Sequence, residues 1–115
     1  MESRHISVWI NRPAIDVYRY AADLANLTKW AAGLTEDMAV EFAPANDFGV
    51  LDHTVTLPTG DRFHNPLRVL AAGESLSEIV FTLRRAPETS DADFEKDATA
   101  VAADLTALKR ILEQH

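Results

Sequence analysis

Few side chains in this sequence of 115 residues have the type and spacing to carry chemistry, and the foremost is His53. It alternates with Leu51 and Val55, so a strand would place its imidazole on an apolar face. Burial there would lower the pKa of His53 and keep the ring neutral. A neutral imidazole with a free nitrogen can act as a general base or hold a ligand oxygen. The alternative is a structural core histidine, bonded to neighbouring backbone or to Asn65.

Asn65 and Trp30 are the other polar candidates. A buried amide without partners costs about 1–3 kcal/mol, so Asn65 needs a ligand, a water molecule or His53 as its partner. Trp30 precedes Gly33 at the end of a short predicted helix. Its ring could wall a pocket while its N–H reaches a polar group. The alternative for Trp30 is plain packing of that helix onto a sheet.

Several kinds of site are excluded by composition and motif. The absence of cysteine excludes disulfides, thiolate zinc, iron–sulfur clusters and thiol catalysis. His53 and His64 are predicted to lie on opposite faces of the sheet, and no histidine motif typical of zinc sites occurs. No glycine-rich loop precedes a helix, so a phosphate or dinucleotide site is not supported. We therefore expect no metal and no cofactor. The catalytic residues, if any exist, stay unknown, and the question of an enzyme stays open.

Charge and composition define the class of protein. Eleven basic and eighteen acidic residues give a net charge of −7, which argues against binding to nucleic acid or to an anionic membrane. No apolar run approaches the roughly 18 residues of a membrane span. With 47% hydrophobic and 25% charged residues, we expect one globular domain over residues 1–115. No apolar block of the signal-peptide kind follows the N-terminus, and the expected location is the cytoplasm.

The elements that must position these residues follow from periodicity. The alternation of Ile6, Val8 and Ile10 predicts a strand, and Pro13 then suits the start of a helix. Asp23 is a suitable N-cap for a second short helix. The middle of the chain alternates with a period of two between turns at 44–49, 58–61 and 73–75, which predicts antiparallel hairpins.

The register of these hairpins follows from keeping the apolar residues on one face. In the first hairpin we expect Leu57 opposite Phe63 and Val55 opposite Asn65. In the second we expect Val69 opposite Ile79, Leu67 opposite Phe81 and Asn65 opposite Leu83. His64, Arg68 and Arg84 should then point outward. The inward-facing residues should be Leu51, His53, Val55, Leu57, Phe63, Asn65, Leu67, Val69, Ile79, Phe81 and Leu83.

The last element is a long amphipathic helix. Apolar residues recur every three or four positions from Phe94 through Leu112, which predicts a helix from about Asp91 to Glu113 with Ser90 as its N-cap. Its apolar stripe matches the apolar face of the sheet. The fold class is therefore α+β, with one curved antiparallel sheet of about five strands, two short helices after the first strand, and the long helix across the concave face.

In this order of elements the sequence resembles a known family, the START-like or SRPBCC superfamily with the helix-grip (START/Bet v 1-like) fold. It looks like a small bacterial member of the polyketide cyclase/dehydrase type. The likeness covers nearly the whole chain, and its motifs are structural. A sheet of five strands, where the family commonly has six or seven, would grip a smaller volume. The resembling segments are residues 8–14, 17–18 and 23–30 at one end, and 78–83, 91–95 and 104–109 at the other.

The resemblance implies a pocket between the sheet and the long helix that holds a small apolar molecule. The expected function is therefore ligand binding, with a polyketide cyclase- or dehydratase-like enzyme as the alternative. A further alternative is a protein-interaction domain whose cavity is filled. Trp9, Leu70 and Val80 on the outer face of the sheet also suggest a homodimer. The expected ligand-binding residues are His53, Asn65, Trp30, Leu67, Phe81, Phe94 and Val101.

Overall fold

Two three-stranded antiparallel sheets and one long helix form most of the fold, which is a computed structural model that describes residues 2–114. Sheet A has the strand order β1-β6-β5, and sheet B has the order β2-β3-β4. A short 3₁₀ turn, Leu24–Asn26, precedes the second helix. The strands and α-helices are β1 (Ser3–Ile10), α1 (Ala14–Ala22), α2 (Leu27–Trp30), β2 (Ala39–Phe42), β3 (His53–Thr56), β4 (Arg62–Asn65), β5 (Leu67–Ala71), β6 (Ser77–Arg84) and α3 (Asp91–Glu113).

The expectation of one sheet with about five strands is wrong: residues 2–114 form six strands in two sheets. The reason is Pro66, which lies between β4 and β5. Proline has no N–H to donate to a ladder, so a strand that runs through it is interrupted. The sequence pattern treats residues 63–70 as one strand because their alternation of apolar side chains continues across the proline.

The two sheets meet at a seam beside Pro66. Leu51 N donates to Leu67 O at 2.8 Å, and Val69 N donates to Gly49 O at 2.9 Å. The N–H of Leu67 donates a hydrogen bond to the carboxylate of Asp52 at 3.0 Å. Gly49 adopts φ +74°, and a Cβ there would lie 2.2 Å from Val69 O, so the seam requires glycine. Sheets A and B are therefore separate ladders that are joined by hydrogen bonds at this seam.

The register is partly as predicted. Leu67 pairs with Phe81 and Val69 with Ile79, which confirms the predicted pairing of those strands. The predicted pair of Asn65 with Leu83 is wrong, because the chain leaves sheet A at Pro66.

The predicted register of the first hairpin is also wrong, by two residues. Val55 pairs with Phe63 and His53 with Asn65, because Leu57 N bonds Asp61 O at 2.8 Å and already closes the turn. A shift of two residues keeps every side chain on its predicted face. The inner face is therefore as expected, although Phe63 remains 49% exposed. His64, Arg68 and Arg84 are exposed as predicted.

The course of α3 is as predicted, but the turn that follows Asp23 is 3₁₀ and α2 begins only at Leu27. Asp23 caps the 3₁₀ turn through Ala25 N, and Ser90 caps α3 through Asp93 N. The C-terminal half of α3 buries Leu108 and Leu112 against the inner face of sheet A. Within residues 2–114, no helix combines the length and the hydropathy that a membrane span requires.

Candidate functional site

A cavity of about 430 Å³ lies between the inner face of sheet B and the N-terminal half of α3. Its walls come from the inner face of β3, β4 and β6, from α2 with the segment after it, and from α3. α3 packs directly against β1 and β6 of sheet A, and the cavity lies between that helix and the strands of sheet B. The polar or charged lining residues are Trp30, His53, Asn65, Arg84, Arg85, Thr89, Asp97 and Asp104, and the others are Leu27, Ala31, Gly33, Leu34, Met38, Val55, Leu57, Phe63, Phe81, Leu83, Ala86, Phe94, Ala100, Val101 and Leu105.

His53 is a buried histidine on β3 whose ring is fixed from three directions. Its Nδ1 lies 2.9 Å from Leu51 O, and its ring meets Phe42 and Phe81 edge to face at 5.4 and 6.2 Å between centroids. Burial lowers the pKa of His53, although the bond to Leu51 O opposes the shift. The imidazole is therefore neutral at pH 7. A carbonyl oxygen only accepts, so Nδ1 carries the hydrogen and Nε2 is left as an acceptor.

Asn65 is the direct cross-strand partner of His53. Side chains of directly opposed residues on one face lie about 4.5–5.5 Å apart at Cβ. Within residues 2–114, the Asn65 amide has no hydrogen-bond partner, and it is only partly buried. Of the partners considered for it from the sequence, His53 is therefore not the one that bonds it in this structure.

Trp30 ends α2 and lines the cavity. It is buried, and its Nε1 has no hydrogen-bond partner among the described residues. An unpaired buried N–H costs free energy on the scale of a lost hydrogen bond. Its ring packs with Leu27 and Ala31 in the core, so Trp30 contributes both to packing and to the cavity wall.

Asp104 is a lining residue that the sequence analysis missed. It lies on α3, where it accepts a hydrogen bond from Ala32 N at 3.3 Å and so ties the segment after α2 to the helix. Burial raises the pKa of Asp104. The available signal was its place three residues after Val101, on the edge of the apolar stripe. The loop residues Leu34 and Met38 were also missed, since no periodic pattern marks an irregular segment.

Phe94 lines the cavity at the start of α3. The guanidinium groups of Arg4 and Arg85 lie 5.1 and 5.5 Å from its ring centroid, within the range of cation–π contacts. Arg85 is held by Asp91 at 2.7 Å and by Thr89 O at 2.8 and 2.9 Å. The charge of Arg85 is therefore already paired at the cavity rim.

Six of the seven residues expected to bind a ligand line the same cavity, and the seventh does not. Leu67 is fully buried and packs in the core beside the seam instead. No group of three or more potential metal ligands occurs among residues 2–114, and His53 and His64 occupy opposite faces of sheet B. The lining residues are His53, Asn65, Trp30, Phe81, Phe94 and Val101.

No family model matches the chain, and no curated protein matches it. Solved structures do match the chain. A START superfamily protein from Mycobacterium smegmatis has a TM-score of 0.68 at 12% identity, over 97% of each chain. DynU16, a protein from the dynemicin biosynthetic locus, has a TM-score of 0.73 at 14% identity, over 98% of this chain and 48% of its own.

A third similar structure is BexL, a di-domain ARO/CYC from the BE-7585A biosynthetic pathway, with a TM-score of 0.65 at 16% identity over 98% of this chain and 47% of BexL. The chain thus spans about half the length of DynU16 and of BexL. At these identities the likeness establishes the fold. The START-like helix-grip fold predicted from the sequence is confirmed.

Proposed function

We propose that the chain binds a small, largely apolar molecule in the cavity between sheet B and α3. The observation that carries this proposal is the cavity, about 430 Å³ that the side chains of the protein leave unfilled. Small-molecule sites are typically concavities of about 300–1,000 Å³ with mostly apolar walls and a few polar groups. The neutral His53 and the unpaired Asn65 are such polar groups. An ion placed among the apolar side chains around His53 would lose its hydration, which favours an uncharged ligand there.

A matched pair of substitutions on α3 tests the proposal. Ala100 and Ala103 are both exposed on α3, and of these two residues Ala100 lines the cavity whereas Ala103 does not. We expect a panel of two-ring aromatic compounds to include binders of the wild type in isothermal titration calorimetry. Ala100→Trp should weaken binding at least tenfold, because the indole occupies cavity space, and Ala103→Trp should leave it unchanged. A wild type that binds none of the panel, or equal effects of the two variants, would contradict the proposal.

The second candidate is a cyclase- or dehydratase-like enzyme. One observation favours it: a neutral histidine and a carboxyl group of raised pKa line the same cavity. His53 would accept a proton from a carbon acid, and Asp104 on α3 is the second group in the cavity that can exchange one. BexL, which shares the fold, is described as a di-domain ARO/CYC.

Deuterium exchange distinguishes the enzyme from a binding protein. The methyl protons of 2-acetylnaphthalene in D2O can be followed by NMR with and without the protein. The enzyme predicts exchange above the buffer rate that His53→Leu abolishes, and a binding protein predicts the buffer rate. The cavity supports these two functions over the third function class, an interaction domain with a filled interior.

A further inference from the structure

We infer, on the premise of the proposed function, that His53 and Asn65 select a ligand that bears a hydroxyl group, as in a phenol, over an ether or ketone of the same shape. The selection follows from which atoms of these two side chains are already used in the protein. The remaining atoms are an acceptor and an amide on two residues that are direct cross-strand partners and both line the cavity.

The first step concerns the hydrogen of the His53 ring. His53 Nδ1 donates a hydrogen bond to Leu51 O at 2.9 Å, so Nε2 carries a lone pair. An ether or ketone oxygen placed against Nε2 would oppose one lone pair to another. Moving the hydrogen to Nε2 would leave Leu51 O without this bond in a buried place, and protonating the ring is disfavoured by the burial that lowers its pKa. His53 Nε2 can therefore be paired only by a ligand group that donates a hydrogen bond.

The second step concerns Asn65. Its amide offers two N–H donors and a carbonyl acceptor, and within the described part of the chain it uses none of them. A hydroxyl group can donate its hydrogen to His53 Nε2 while its oxygen accepts from the Asn65 amide. A ketone can satisfy Asn65 alone, and a methyl ether leaves Nε2 without a donor. A single hydroxyl therefore pairs both side chains.

The third step concerns the rest of the ligand. The His53 ring cannot turn freely, because it packs edge to face with Phe42 and Phe81 and its Nδ1 is bonded to Leu51 O. Phe63 and Phe81 carry this aromatic surface into the cavity wall. A rigid acceptor beside aromatic walls suits a hydroxyl group on a flat aromatic body.

Carboxylates on α3 are the competing acceptors. Asp97 and Asp104 also line the cavity, and either one would favour a ligand that donates a hydrogen bond. Asp104 already accepts from Ala32 N. Because these side chains lie on the helix and His53 lies on the sheet, substitutions separate the two sources of selectivity.

The experiment compares two probes of nearly equal shape, 2-naphthol and 2-methoxynaphthalene, by isothermal titration calorimetry. We expect the wild type to bind 2-naphthol about tenfold more tightly than the ether, the scale of one buried hydrogen bond. His53→Leu and Asn65→Leu should each bring this ratio close to one. His64→Leu, the same change on the outer face of the adjacent strand, should leave the ratio unchanged. Thermal unfolding shows that each variant is folded.

The possible results separate this inference from the proposed function. Binding of both probes without preference would overturn the selection by His53 and Asn65 and leave the binding function intact. A preference that survives His53→Leu but is lost in Asp104→Asn or Asp97→Asn would also overturn it. If neither probe binds, the inference fails together with the proposed function. As a readout independent of affinity, the ¹⁵N shift of His53 Nε2 should move on addition of 2-naphthol and stay in place with the ether.

Discussion

Truncating one leucine at the cavity and another in the core should have unequal effects on stability. Leu108 on α3 is completely buried and lies away from the cavity, whereas Leu83 on β6 is only partly buried and lines it. Leu108→Ala removes buried methyl groups and leaves a new void in close-packed surroundings. Such substitutions cost about 2–5 kcal/mol, and complete burial places Leu108 at about 3–5 kcal/mol.

Leu83→Ala should cost much less. Full burial of a leucine side chain stabilises by about 1.5–3 kcal/mol, and Leu83 achieves only part of that, so we expect about 1 kcal/mol. No separate void term applies, because the lost atoms already border empty space. The contrast therefore measures whether the cavity is empty in solution.

Urea unfolding followed by circular dichroism gives both free energies, and an unchanged m-value shows that the unfolded state is comparable. A cost for Leu83→Ala as large as that for Leu108→Ala would refute the reasoning, since it would mean that side chains close the cavity in solution.

Three further predictions concern the pH dependence of stability and the oligomeric state. Burial lowers the pKa of His53 in the folded protein below its usual 6.5. The stability that neutral His53 contributes is therefore fully present above pH 6.5, and it is lost as the pH falls from 6.5 through the folded-state pKa. Unfolding free energies measured from pH 7 to pH 5 should fall less steeply in His53→Leu, and an equal slope contradicts this. Burial raises the pKa of Asp104, so the charged carboxylate is disfavoured in the folded protein. The stability that protonated Asp104 contributes below pH 3.8 is therefore lost as the pH rises through the folded-state pKa. Asp104→Asn should therefore raise the melting temperature at pH 7, and a lower one would show that the charge itself is needed. Trp9 and Leu70 are 52% and 47% exposed on the outer face of sheet A, where the sequence suggests self-association. Sedimentation should then show a dimer that Trp9→Lys dissociates, and a monomer at all concentrations would remove the expectation.

The sequence predicts α3 well because its signals are local. The N-cap Ser90 and the apolar stripe are properties of neighbouring residues, and the helix spans Asp91–Glu113 as expected. The division of the sheet is harder to predict. Pro66 interrupts a strand whose alternation continues on both sides, and a change of strand partner at a proline leaves the periodicity intact.

The candidate site likewise contains residues that the sequence indicates and one that it does not. His53 and Asn65 are polar interruptions on an alternating apolar face, so the sequence indicates both of them. Asp104 lies beside an apolar stripe, a position that exposed carboxylates also occupy in ordinary helices. Its role depends on the hydrogen bond from Ala32 N, which joins residues 72 positions apart, and no local pattern predicts such a contact.

Intermolecular NOEs between the protein and bound 2-methoxynaphthalene test the binding function most directly, because this probe does not depend on the selection by His53. A ligand in the cavity predicts contacts from its ring protons to the Val101 methyl groups and to the rings of Trp30 and Phe81, all of which line it. Contacts confined to Trp9 and Leu70 on the outer face would contradict the account, as would the absence of intermolecular NOEs at saturating probe.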